Sequence, residues 1–377
     1  MMKRLYLLLL PALILFAGCG GPKSRIDRTT ENGVEVVLNH LTPYPIGKVR
    51  AMTLERLSTI DTESAAVRDA GLFDIFGFDV DSQGQIFVLK QYAGEGDFVF
   101  LFDDQGRFLK SFGRKGQGPG EIQNPHYLTL DDRDHVLVWD VGHIIRFDKD
   151  GGFMAASTLV NPGRVLRGPG GSLLLQDTSM NPEGEKMLYS STIKRLDAGN
   201  RELGALDSYK VLIKPDEINP IEPSFGAAAS RERIFVANES RGYEIRVFDR
   251  DGALVRIIRK EYQPVPVSEA YREKILKQFG ERFRGRLRFP ANHAPFQSLT
   301  ADENGRLLVA TYEPGDKPGE YLYDIFDEDG VFVGRKSLNA WIWEGALWIR
   351  MKADKLYALQ EKDNGFKEIV VYRLKWE

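Results

Sequence analysis

One unit recurs along this chain: an alternating apolar run, a reversal rich in Asp and Gly, then a second apolar run. Its clearest copies are Phe78-Asp79-Val80-Asp81-Ser82-Gln83-Gly84-Gln85-Ile86-Phe87-Val88, the stretch Leu128 to Val138 around Asp131, and the stretch Leu299 to Val309 around Asp302. Weaker copies centre on Gly168-Pro169-Gly170-Gly171, on Ser230-Arg231-Glu232-Arg233 and on Met351-Lys352-Ala353-Asp354. Asp accepts hydrogen bonds from backbone amides two residues on, and Gly adopts positive φ without steric cost. Both therefore favour a tight reversal between strands.

A second hairpin follows each of the first five, at Phe102-Asp103, Phe147-Asp148, Leu196-Asp197, Phe248-Asp249 and Phe326-Asp327. Two hairpins make a four-stranded sheet. Six such units make an all-β fold, a six-bladed β-propeller with four-stranded blades. After Glu368 to Leu374 the sixth unit has no fourth strand of its own. An upstream strand within Ala51 to Ile60 is expected to fill that place and so to cover an edge that would otherwise invite pairing. The interval between blades four and five is the longest and holds an insertion, 262–295. Ser268 reads as an N-cap with Glu269 in the first turn. Tyr271, Ile275, Phe279 and Phe283 fall four apart, which predicts one helical stripe buried across the propeller.

Composition narrows the function classes. A net charge of −3 gives no global attraction to nucleic acid, which is not expected as a partner. The single cysteine is Cys19, so disulfides, cysteine-ligated zinc and thiol catalysis are excluded from the rest of the chain. Lys3-Arg4 precede an apolar run, Leu5 to Phe16, that ends in Ala17-Gly18-Cys19. This is the pattern of a secretory signal, and it is too short for a span of about 20 residues. The division predicted is a signal over 1–18, Cys19 and a tether over 19–45, and the propeller over 46–377. Gly20 to Pro43 reads as tether because it cannot bury enough apolar surface to offset its ordering entropy, unless Val34 to Leu38 docks on the domain.

Two resemblances sharpen this picture. Phe16-Ala17-Gly18-Cys19 resembles the lipobox of bacterial lipoproteins, which implies a covalent lipid on Cys19, a membrane partner through that anchor, and a place in the bacterial cell envelope. Gly20 in place of an inner-membrane retention aspartate points to the outer membrane or a periplasm-facing location. The run Phe112-Gly113-Arg114-Lys115-Gly116-Gln117-Gly118-Pro119-Gly120-Glu121, followed by Pro125, resembles the blade linker of bacterial six-bladed propeller lipoproteins related to NHL-repeat proteins. The segment Pro290 to Val309, with Pro295 before Asp302-Glu303-Asn304-Gly305-Arg306-Leu307, is similar to the fifth-blade entry of the same group. The resemblance implies architecture more than activity, since one propeller scaffold hosts many functions.

No catalytic signature stands out. The glycine run lacks Gly-Lys-Ser/Thr, no Gly-x-Ser-x-Gly elbow occurs, and no histidine pair has His-Glu-x-x-His spacing. The Asp-rich turns lack the remaining ligands of a calcium loop. His126 and His293 each precede an innermost strand and are the candidate ligand-binding residues at the channel mouth. Arg282, Arg284, Arg286 and Arg288 in the insertion form a candidate docking patch for an anionic partner. No catalytic residue, metal site or cofactor is assigned apart from the lipid at Cys19. The expected function is an envelope-anchored lipoprotein whose propeller is a scaffold binding a ligand or protein, such as a glycan, peptide or envelope protein. The alternative is a metal-dependent lyase or hydrolase with its site at the channel mouth.

Overall fold

The computed structural model describes residues 26–44, 52–90, 96–158, 162–221, 223–340, 342–343 and 346–376. Cys19 and the expected signal lie outside them. The turns explain the repeat. At each of eight reversals one carboxylate oxygen of the opening Asp accepts the backbone N–H groups two and four residues on. Gln83 and Gln85 donate to Asp81 at 2.8 and 2.7 Å. The same pair of bonds forms at Asp103, Asp131, Asp148, Asp197, Asp249, Asp302 and Asp327. The residue three beyond each Asp has positive φ, usually Gly, with Asp134 and Asn200 as the two exceptions.

Six blades result, each of four antiparallel strands, beside a two-stranded pair of Ile342–Trp343 and Ala346–Leu347. Blade 1 is Gly77–Val80, Ile86–Leu89, Asp97–Phe102 and Phe108–Arg114. Blade 2 is Pro125–Leu130, Val136–Asp140, His143–Phe147 and Phe153–Thr158. Blade 3 is Pro162–Arg167, Leu173–Glu183, Lys186–Leu196 and Glu202–Ile213. Blade 4 is Phe225–Ala229, Arg233–Asn238, Glu244–Asp249 and Leu254–Lys260, and blade 5 is Ser298–Ala301, Leu307–Pro314, Tyr321–Phe326 and Phe332–Leu338. Blade 6 takes Ile349–Lys352, Lys355–Glu361 and Lys367–Trp376 from the C-terminal part, and Met52–Asp61 pairs antiparallel as its outer strand. The upstream strand therefore closes the ring, as the hairpin count requires.

The first-named strand of each blade faces the central channel. An apolar cluster fills each seam between neighbouring blades, from Phe78, Trp348 and Tyr357 between blades 6 and 1 to Leu137, Val165 and Leu173 between blades 2 and 3. Gly77 is required at one seam, because a Cβ there would lie 2.4 Å from the Trp348 ring. The glycine run after blade 1 is a crossing between blades. Gly113 and Gly120 have positive φ, and the Glu121 carboxylate accepts the Gly118 amide at 2.8 Å, filling the space a phosphate would need.

Two expectations change. Residues 27–39, read as tether, form a hairpin of Asp27–Glu31 and Val34–Asn39 docked on blade 4. Val34–Asn39 runs parallel to Leu254–Lys260, so this sheet has six strands. Val36 and Val37 are buried, each contributing about 1.5–3 kcal/mol. Asn39 ties the hairpin to two blades: its side chain donates to the Gly330 and Arg259 carbonyls at 3.0 and 3.2 Å and accepts the Phe332 amide at 2.8 Å. The insertion does hold a helix, Glu269–Phe279, capped by Ser268, whose side chain accepts the Tyr271 amide at 3.2 Å. Its predicted stripe is not the buried face. Leu276 is the buried residue of the helix, Phe279 is 38% exposed, and Phe283 lies beyond its end in a short 3-10 turn. Among the described residues no helix is long and apolar enough to cross a membrane.

Candidate functional site

The innermost strands run the same way round the channel, so their ends define two faces. Strand entries, blade crossings and the helical insertion lie on one face, and the Asp turns lie on the other. A cavity of about 440 Å³ opens among the turns. All six innermost strands line it, through Asp79, Thr129, Arg164, Ala228, Thr300 and Arg350 among others. Blade 4 contributes Ala227, Ala228 and Ala229, whose small side chains leave the space open.

Asp79 organises the cavity floor. One of its oxygens accepts the Val80 amide at 2.9 Å and Arg350 Nε at 3.0 Å. The other accepts Thr129 Oγ1 at 3.0 Å and the Leu130 amide at 2.9 Å. Blades 6, 1 and 2 are thus joined through one carboxylate. Burial pushes its pKa up, but Arg350, the two amides and Arg167 outweigh burial and hold it below the ordinary value. Arg350 also donates to the Ile349 carbonyl at 3.1 Å and lies over the Phe78 and Trp348 rings. Arg167 donates to the Asp131 carbonyl at 2.8 Å. Towards the rim, Glu303 pairs with Lys352 at 3.1 Å and with Arg231 at 2.9 Å.

Asp79→Asn is expected to lower stability by about 2–3 kcal/mol at neutral pH, the scale of lost charge-assisted hydrogen bonds. The sign follows from the depressed pKa. The folded state binds this proton more weakly than the unfolded chain, so the Asp79 contribution is present above the unfolded value of about 3.9 and is lost as pH falls below it. Urea melts of the two proteins should therefore converge on acidification. A difference independent of pH would contradict this.

The candidate residues read from sequence lie elsewhere. His126 packs on Trp139 with ring centroids 4.8 Å apart. His293 stacks on Tyr312 at 4.2 Å and meets the edge of Tyr271, in the insertion helix, at 4.8 Å. Burial lowers the His293 pKa. Neither histidine lines the cavity, and the two rest on different rings, Trp139 and Tyr312. Within the insertion, Arg284 pairs with Glu281 at 2.9 Å and Glu273 at 3.3 Å. Arg286 donates to the Pro215 and Asp216 carbonyls, Arg288 lies 3.4 Å from Glu217, and Arg282 covers the Phe283 ring. All four arginines thus have a partner within the molecule, three of them through polar contacts and Arg282 through a ring. Among the described residues no three His, Cys, Asp or Glu side chains come together as a metal site. The cavity residues Asp79, Arg164, Arg167 and Arg350 are not reached by motif spacing. Their signal is a charged residue interrupting a strand that must face the channel.

The comparisons agree with this architecture. Residues 79–188 match the family model described as 6-bladed beta-propeller. The chain is a six-bladed β-propeller. It is similar to a Bacteroides fragilis protein described as exported, at 11% identity and a TM-score of 0.50, over 90% of this chain and 99% of that one. It also aligns with a Xanthomonas campestris gluconolactonase (14% identity, TM-score 0.40, 86% and 100% covered). A third is the extracellular domain of a B. thetaiotaomicron one-component system (12% identity, TM-score 0.39, 82% and 36% covered). At such identities the likeness is one of fold. No curated protein matches the chain.

Proposed function

We propose that this propeller is a binding scaffold of the bacterial cell envelope, anchored by a lipid on Cys19, that holds a small ligand in the channel cavity on the turn face. The observation that carries this is the cavity itself, which all six innermost strands line, five of them with polar or charged side chains and blade 4 with three alanines. A volume of about 440 Å³ suits a ligand of sugar or short-peptide size, since ligand pockets run from about 300 to 1,000 Å³. The lipobox-like Phe16-Ala17-Gly18-Cys19 supports the anchor. The exported B. fragilis relative in fold is in keeping with an envelope location.

The test has two arms. Mass spectrometry of the protein from its host is expected to find an acylated Cys19 and none on Cys19→Ser, whereas an unmodified Cys19 would remove the anchor from this reading. For the cavity, a thermal-shift panel of neutral sugars, uronates, amino acids and short peptides is compared on wild type and Ala229→Trp. Any stabilising compound should lose its effect in the folded Trp variant, because Ala229 lines the cavity wall. Equal shifts in both proteins would place binding elsewhere.

A further inference from the structure

Four charged groups sit together on the cavity floor, and their charges do not balance. Arg164, Arg167 and Arg350 all line the cavity, against the single carboxylate of Asp79. An ionised carboxylate offers about four acceptor sites. Asp79 has filled them with Val80 N, Arg350 Nε, Thr129 Oγ1 and Leu130 N. It has no site left for Arg164. Among the described residues the other carboxylates of the cavity form no ion pair with the three arginines. Glu303 serves Arg231 and Lys352, and Asp302 accepts the amides of its own turn. Asp132, exposed on the rim, forms no ion pair with the three arginines among the described residues.

Arg164 is the telling member. Among the described residues its guanidinium has neither a hydrogen bond nor an ion pair, although the side chain lines the cavity and is half-buried. Burial, with Arg350 adding to it and Tyr127 opposing, pulls its pKa down to about 10, so it stays charged at neutral pH. Arg167 gives one nitrogen to a backbone carbonyl, forms no ion pair among the described residues, and reaches Asp79 only through space. A partly buried guanidinium without a counter-charge is costly, and its planar fork is shaped for a carboxylate or phosphate. Here the fork borders open space large enough to admit one.

We propose that Arg164, Arg167 and Arg350 form an oxyanion subsite on the floor of the channel cavity, which takes the carboxylate or phosphate group of a small ligand. The inference rests on the reading of the cavity as a ligand site. Arg164 supplies the unpartnered fork, Arg167 a second donor from the same strand, and Arg350 a third from blade 6, fixed in direction by Asp79. Because Asp79 neutralises only one of the three, a singly or doubly charged oxyanion completes the balance.

The experiment titrates the full-length protein at low salt with inorganic phosphate, D-glucuronate and, as a neutral control, D-glucose, followed by calorimetry and thermal shift. Saturable binding of phosphate or glucuronate is expected, falling as salt is raised. Binding of one and not the other assigns the subsite to phosphoryl or to carboxylate ligands. Arg164→Met is expected to weaken anion binding roughly tenfold or more, the effect of losing charge-assisted bonds. In the absence of anion the same variant should melt at or above the wild-type temperature, because it removes an unpaired charge. A structural arginine would give the opposite, a lower melting temperature with anion binding unchanged, and that result overturns the proposal. So does the absence of saturable binding of both anions up to the millimolar range. If glucose binds as well as glucuronate and Ala229→Trp abolishes both, the oxyanion subsite fails while the cavity remains the binding site. If Ala229→Trp leaves every titration unchanged, the cavity reading fails with it.

Discussion

Asp324→Ala is expected to destabilise the propeller by about 3–5 kcal/mol, the cost of leaving one member of a buried ion pair alone. Asp324 lies in the third strand of blade 5, and its side chain and that of Lys260, at the end of blade 4, are both fully buried. The ammonium is 3.3 Å from the carboxylate. Tyr243 OH donates to Asp324 at 2.7 Å, and Arg335 Nε donates at 2.7 Å while its other nitrogens grip Glu313 at 2.8 Å. Lys260 also donates to the Glu261 carbonyl at 3.1 Å and sits over the Phe332 ring at 4.5 Å. Removing Asp324 strands the ammonium and half of the Arg335 fork in the seam between two blades. A variant that removes both charges, Lys260→Met with Asp324→Leu, should recover much of the loss, because apolar packing often replaces a buried pair without penalty. A double-mutant cycle in urea reads the coupling.

The pH dependence separates this network from simple loss of packing. Burial already lowers the Lys260 pKa despite Asp324 beside it, and Asp324→Ala removes the group that opposes the shift. The unfolded chain then binds more protons than the folded one over the alkaline range, so stability rises with pH there. The deficit of Asp324→Ala should therefore be larger at neutral pH than near pH 10, a range in which an unshifted lysine of about 10.4 is still largely charged. A deficit that stays constant or grows with pH would show that Lys260 is not the group left uncompensated.

How far the sequence discloses this molecule depends on how local each determinant is. The Asp turns are legible because every bond they make is within four residues: Asp81 needs only the amides of Gln83 and Gln85 and a positive φ at Gly84. Counting those turns also discloses the missing strand of blade 6. The docked hairpin is legible in part. Asn32 and Gly33 both have positive φ, and Asn-Gly between two strand-like runs is the strongest short hairpin signal. Its parallel partner, Leu254–Lys260, is more than 200 residues away and leaves no local mark. The insertion helix shows the converse. Its N-cap is local and was readable, but which face is buried depends on what it packs against, so Leu276 is covered and Phe279 is not. The cavity floor is least legible. Asp79, Arg164, Arg167 and Arg350 come from three blades, and ring closure alone brings them together.

That closure rests on one strand, and its removal is expected to have the largest effect of any change to the fold. Met52–Asp61 pairs with Lys367–Trp376 along nearly its full length, from Met52 opposite Trp376 to Asp61 opposite Glu368. Met52 and Ile60 are buried in the seams on either side of blade 6. Those two side chains alone are worth about 3–6 kcal/mol. Next to the strand, Thr62 donates to the Lys367 carbonyl at 2.8 Å, and Lys362 reaches Asp61 and Glu63 at 2.6 and 2.8 Å. A chain beginning at residue 62 loses the strand and also the docked hairpin. It leaves Lys367–Trp376 as an open edge beside exposed apolar seams, the arrangement that invites intermolecular pairing. The expected result is aggregation, or a melting temperature lowered by more than ten degrees at roughly 2–4 °C per kcal/mol. A chain beginning at residue 45, lacking the hairpin and keeping the strand, should fold with a smaller loss, chiefly of Val36, Val37 and the Asn39 bonds. A synthetic peptide of residues 51–61 added to the shorter chain should restore solubility, because the strand pairs along the outer edge of the sheet. Equal melting temperatures for the chains beginning at 45 and 62 would show that blade 6 does not need its fourth strand.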